Sequence, residues 1–182
     1  MATNTISRSL HDVGLALWSG GSTMGALGVN GAATAAEPKE RLRVAGEGWN
    51  RWMPAHMGAV AAYGLGSIGL TRGNRGRMRA QKGVARLAAA KTVLTAAALA
   101  ADAYAGVLGR RAQKAGDVPV EGATQPATDT PEEVASTLKR LKVVQWVVPA
   151  LTGALVVVSA RMGEQQRPQA VARGVRDRLL RR

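Results

Sequence analysis

Four stretches of this chain are nearly empty of formal charge, and each is close to the length of a membrane crossing. Residues 13–36, 52–71 and 143–160 hold no Asp, Glu, Lys or Arg, and residues 87–109 hold only Lys91 and Asp102. A spanning helix needs ~20 predominantly apolar residues at a rise of ~1.5 Å each. Because the charges are segregated, the mean hydropathy of −0.05 conceals these runs. Aromatics make up 3% of the 182 residues and Phe is absent, so a water-soluble core would have to be built from Ala, Val, Leu and Gly. Such small residues suit the close backbone packing of helices in lipid. The pattern predicts an all-α polytopic membrane protein, a four-helix transmembrane bundle with spans at 13–33, 52–71, 87–109 and 143–160.

The first run is the least apolar, since Gly and Ser lower both its hydrophobicity and its helix propensity. It has a second reading as a cleaved signal peptide, because Ala33-Thr34-Ala35 has the A-x-A form. Against that reading, the leader carries a single basic residue, Arg8, and Gly20, Gly21 and Ser22 interrupt its apolar core.

Orientation follows from the basic residues. With residues 1–12 and the basic tail 161–182 both cytoplasmic, the inner segments carry fourteen Lys/Arg against three acids, and the outer segments ten against eight. Lys and Arg near span ends stay on the cytoplasmic side. The acid-free loop between the second and third spans decides the matter, and the whole reads as a multi-pass protein of a bacterial plasma (inner) membrane. In the tail, Val171, Val175 and Leu179 recur at helical spacing among Arg173, Arg176, Arg178 and Arg181, a pattern that fits either an interfacial helix contacting anionic lipid headgroups or a disordered basic tail that only enforces orientation. The net charge of +13 does not call for nucleic acid, because Trp18, Trp49, Trp52, Trp146, Tyr63 and Tyr104 lie in or beside the apolar runs and not among the basic clusters where bases would stack.

The outer segments differ from one another. Residues 37–51 are mixed-charge and lead into Trp49 and Trp52, which read as interfacial anchors. The extracytoplasmic loop 110–142 is rich in Pro, Gly and Thr over 115–130 and reads there as irregular. Thr130-Pro131-Glu132-Glu133 then offers an N-cap, a first-turn Pro and the N3 acid of a capping box, starting a helix that kinks at Pro149. Trp52-Met53-Pro54-Ala55 and Trp146-Val147-Val148-Pro149-Ala150 resemble each other faintly, as two parallel helix-pair repeats would require.

Ionisable groups inside spans are the candidate site, because charge in hydrocarbon must be paired or wetted. Lys91 and Asp102 are eleven positions apart and therefore share a helix face, yet sit ~16 Å apart along it. Lys91 is close enough to the cytoplasmic end to snorkel to the headgroups. Asp102 is too deep for that. His56 reaches a similar depth from the outer side of its own span, so the two can pair, either as a hydrogen-bonded lock on helix packing or as a titratable proton, ion or small-ligand site facing the exterior. Gln145, Tyr63 and Tyr104 are further polar groups on these helices. Gly21 and Gly25, Gly58 and Gly66, and Gly153 are read as small-residue packing faces. The chain has no Cys and two His placed at opposite ends of their spans, so no metal or haem site and no cofactor is expected. No P-loop, dinucleotide fingerprint or Ser-His-Asp order is legible, which argues against an enzyme.

In span number, size and Gly/Ala-rich helices over residues 10–160, the chain loosely resembles the DoxX-like small bacterial membrane proteins. The resemblance implies a four-helix bundle in the plasma membrane, sometimes an accessory to a redox complex, and carries no site residues across. Three function classes follow. The first is a structural or accessory protein acting through helix packing, either with copies of itself or with a membrane-protein partner. The alternatives are a small transporter or channel built on Asp102 and His56, and a membrane-anchored subunit of a redox enzyme.

Overall fold

A computed structural model describes residues 2–73 and 82–164, with side chains for 5–73 and 85–164. Among them the chain is all-α apart from one short ribbon. Helix α1, Ala2–Met24, runs on through a π-helical stretch, Gly25–Val29, a helical turn, Asn30–Ala32, and a 3-10 turn, Ala33–Ala35. Helices α2 (Arg41–Gly73), α3 (Lys82–Lys114) and α4 (Glu132–Glu164) each hold 33 residues. At ~1.5 Å per residue that is about 50 Å, longer than a hydrocarbon core. All four therefore overrun their apolar runs, and most of residues 37–51 is helical and not a loop. α3 and α4 contain stretches long and apolar enough to cross a membrane, Ala85–Lys114 and Glu132–Glu164. α1 and α2 fall short of that standard, α1 through Arg8, His11, Asp12 and its Ser, Thr and Gly, and α2 because its uncharged stretch is diluted by Pro54, His56, Ser67 and several glycines.

The helices form two hairpins. α1 packs along the whole of α2, and α3 along α4; the hairpins then meet chiefly through α1 and α4, while α2 barely touches α3. Backbone contact makes the first hairpin. A Cβ on Gly14 would strike the Tyr63 amide and the Ala59 carbonyl, and one on Gly66 would strike the His11 amide and the Ser7 carbonyl. Gly66 is thus a packing position, and Gly14 is one that spacing alone does not single out. Gly21 and Gly25 also take close neighbours, but these are the rings of Trp52 and Trp49. Both indoles turn inward to fill the space left by the missing side chains. Gly58 and Gly153 pack on nothing within the chain, because a Cβ on either meets nothing within 4 Å. Small-residue spacing marks a face without saying whether that face is covered.

Between the hairpins lies a core of Leu15, Trp18, Ala59, Tyr63, Ala98 and Leu155, with Val60, Leu94 and Leu151 against it. A cap closes one end of the bundle. Val120–Gly122 (β1) and Gln125–Pro126 (β2) pair antiparallel. Val120 packs with Leu42, Ala112 and Leu138, and Ala123 packs with Ala33 and Ala45. Arg41 pins the ribbon by donating through Nη1 to the carbonyls of Val120 (3.0 Å) and Glu121 (2.9 Å). The segment 115–130, expected to be irregular, is thus an ordered lid. Gly116, at φ 73°, lets the chain turn sharply off the end of α3.

The capping box before α4 does not form as expected. The Thr130 hydroxyl donates to the Pro119 carbonyl at 2.6 Å and accepts from the Ala127 amide at 2.8 Å, so it stitches the lid instead of capping the helix. The helix opens with the Ala135 amide bonded to the Pro131 carbonyl, and it continues through Pro149 as α2 does through Pro54. The two Trp-Pro segments differ in their surroundings, with Trp52 packed on Gly21 and Trp146 46% exposed. Arg173, Arg176, Arg178 and Arg181, and most of the basic loop, lie outside the described residues.

Candidate functional site

Because α2 and α3 stay apart, a fissure runs between them, and two cavities occupy it. The one at the lid end has a volume of about 530 Å³ and the one at the far end about 680 Å³. Only Val60 and Leu99 line both, so a thin apolar waist separates them. Polar side chains bridge α2 to α3 on either side of that waist.

On the lid side, His56 Nε2 lies 2.6 Å from Asp102 Oδ2. Equal depth on antiparallel neighbours brings them together. His56 is buried, at 6% exposure, and its other ring nitrogen, Nδ1, has no partner among the described residues. With the carboxylate accepting, Nε2 carries the proton and Nδ1 keeps a bare lone pair. Above the pair, Trp49 Nε1 donates to Asn30 Oδ1 (2.9 Å), Asn30 Nδ2 donates to Gln145 Oε1 (2.8 Å), and Gln145 Nε2 donates to Thr124 Oγ1 (3.3 Å). This chain of amides joins α2, α1, α4 and the lid. The π-helical stretch just before Asn30 inserts extra backbone per turn and shifts the faces that follow it. Asn30 has no marker in the sequence beyond being a polar residue in an uncharged run.

On the far side of the waist, the Tyr63 hydroxyl donates to Thr95 Oγ1 at 2.7 Å, since Thr95 already donates to the Lys91 carbonyl. Lys91 does not snorkel. Its Nζ lies 2.6 Å from His11 Nε2 and 5.5 Å from the centre of the Tyr63 ring. The reason is a nearer acceptor: the imidazole of His11, whose Nδ1 is in turn 2.6 Å from Asp12 Oδ1. The ammonium is satisfied inside the bundle and has no need of headgroups. Tyr104 is 42% exposed and lines neither cavity, so it falls outside the site.

These hydrogen bonds assign opposite tautomers to the two histidines. His11 donates from Nδ1 to Asp12 and accepts at Nε2, whereas His56 donates from Nε2 to Asp102. The chain has two His, so ¹⁵N-histidine labelling and NMR read each ring separately. One Nδ1–H and one Nε2–H imidazole are expected near neutral pH; a shared tautomer overturns the assignment.

No protein-family profile, curated protein or solved structure matches this chain. The site therefore rests on its own residues.

Proposed function

We propose that this chain is a multi-pass membrane protein of four spans that carries protons through the α2–α3 fissure, acting as a small transporter or channel with His56 and Asp102 as its proton-binding pair. The observation that carries the reading is the buried His56–Asp102 contact on a cavity wall, with Nδ1 left bare to take a proton. A proton arriving at Nδ1 makes an imidazolium already facing a carboxylate, so no group need move to compensate the charge.

Support for the membrane setting comes from where the large apolar side chains point. Met24 on α1, Leu65 on α2, Val93 on α3 and Val143 on α4 are each more than 60% exposed. His11, Ser22, His56 and Thr152 are meanwhile buried. A soluble protein rarely shows apolar surface on every helix while enclosing polar groups. Lipid around all four helices accounts for both, including α1 and α2, on which His11, Ser22 and His56 are buried. The resulting topology keeps the lid outside and both termini in the cytoplasm.

Two measurements test this. Reporter fusions at residues 80, 125 and 182 are expected to read inside, outside and inside, and an outside signal at residue 80 overturns the topology. Reconstituted into liposomes holding a pH-sensitive dye, the protein is expected to dissipate an imposed proton gradient faster than empty vesicles do. Equal rates overturn the transport reading. The second reading, an accessory protein acting by helix packing, is favoured by Gly58 and Gly153, whose open surroundings leave room for helices of a partner or a second copy.

A further inference from the structure

We propose that Lys91, His11 and Asp12 form a second proton-exchange site, at the inner end of the fissure, in which Lys91 holds the proton and His11 passes it to and from Asp12. It deepens the proton-transport reading and rests on it, because it supplies the station on the far side of the waist from His56 and Asp102.

The three side chains are in line. Lys91 Nζ is 2.6 Å from His11 Nε2, and His11 Nδ1 is 2.6 Å from Asp12 Oδ1. Burial divides their tasks. His11 is 2% exposed and tilted against Tyr63 with ring centres 5.0 Å apart, so its imidazole is held in register. Asp12 has its side chain 59% exposed, which puts its carboxylate in contact with solution. Lys91 faces the inner cavity, whose wall also carries Thr92 and Thr95. Among the described residues, the charged or titratable side chains on that wall are Arg8, His11 and Asp12 from α1, Tyr63 from α2 and Lys91 from α3; the α4 wall of Ser159, Met162 and Gly163 has none.

The transfer balances without any other reactant. In unloading, an Nζ–H bond of Lys91 breaks as Nε2–H forms on His11. The Nδ1–H bond breaks as O–H forms on Asp12, and Asp12 releases that proton to the inner solution. Lys91 is left as a neutral amine, His11 as the neutral Nε2–H tautomer, and Asp12 as a carboxylate. Loading from the inner solution runs the same bonds backward; net passage from the outer cavity also requires the His11 ring to turn between protons, which returns the proton to the Nδ1 side. An imidazole between a buried ammonium and an exposed carboxylate is what such two-way traffic requires; a Lys–Asp pair in direct contact would trap the proton as a salt bridge.

The experiment separates relay from packing. In liposomes, Asp12→Asn, at an exposed position that leaves the core untouched, is expected to slow proton flux about tenfold or more. By ¹⁵N NMR of the full-length protein in detergent, the same substitution is expected to remove the Nδ1–H preference of His11, since the carboxylate that accepts from Nδ1 is gone. His11→Gln, which can still accept from Lys91 but cannot relay a proton, is expected to lose flux while the protein stays monodisperse. Wild-type flux in either variant overturns the inner site. Wild-type protein without flux overturns the transport reading; the exchange site then stands if Asp12→Asn slows solvent exchange of the His11 Nδ1 proton, and falls if it does not.

Discussion

Asp102→Asn is expected to abolish proton flux in liposomes while the protein still folds and inserts. The amide keeps the size of the carboxylate and still accepts a hydrogen bond from His56 Nε2, now at 2.6 Å from the carboxylate. It cannot compensate an imidazolium, so protonation at Nδ1 would place an unpaired charge in the bundle, which is costly in a low-dielectric interior. Asp102→Leu goes further. It strips His56 of the one hydrogen-bond partner the described residues give it, leaving both ring nitrogens buried and unsatisfied at a cost of about 1–3 kcal/mol. The two substitutions thus separate function from packing. If the Asn variant conducts as well as wild type and only the Leu variant loses thermal stability in detergent, the pair is structural and the accessory reading replaces transport.

The largest structural effect is expected at Gly66 and Gly14. A side chain on Gly66 would collide with the α1 backbone at His11 and Ser7, and one on Gly14 with the α2 backbone at Tyr63 and Ala59. Backbone does not yield as a flexible side chain does, so the helices must separate. Separation loses the packing of Trp18 and Tyr63, both almost fully buried, which places the cost in the range of about 3–5 kcal/mol seen for severe core damage. Gly66→Leu and Gly14→Leu are therefore expected to leave no monodisperse folded peak on size-exclusion chromatography in mild detergent. Gly58→Leu and Gly153→Leu, facing open space, are expected to elute as wild type. A Gly66→Leu protein that remains folded refutes the backbone-to-backbone α1–α2 interface.

The His56–Asp102 contact was legible because depth can be counted along two charge-free runs, and unpaired charge at depth demands a partner. The same count applied to His11 and Lys91 puts both near the inner ends of their runs. There the count demands no protein partner, because a lysine near a membrane surface has an easy one in water. What no count along the chain can supply is which helices touch. Trp49 and Trp52 show this, since an indole at a span end reads as an anchor unless the glycines opposite it, Gly25 and Gly21, are known to be its neighbours. Thr130 shows the tertiary form of the same failure. A capping hydroxyl followed by an acid at the third position is a local signal, and a carbonyl eleven residues upstream outcompeted it. The lid was invisible for a related reason, because its order comes from Arg41, nearly eighty positions away.

The lopsided contact between the hairpins has a mechanical consequence. They are bound along α1 and α4 and nearly free along α2 and α3, as pages are held at a spine. Small rotations about that spine widen or narrow the fissure while leaving the interior of each hairpin intact. Resistance to opening then comes from the contacts that cross it, the hydrogen-bonded pairs His56–Asp102 and Tyr63–Thr95, Lys91 over the Tyr63 ring and, at the lid end, Leu42 packed with Ala112. The compliance of the molecule is thus concentrated where its titratable groups lie, so a change in protonation acts on its softest coordinate.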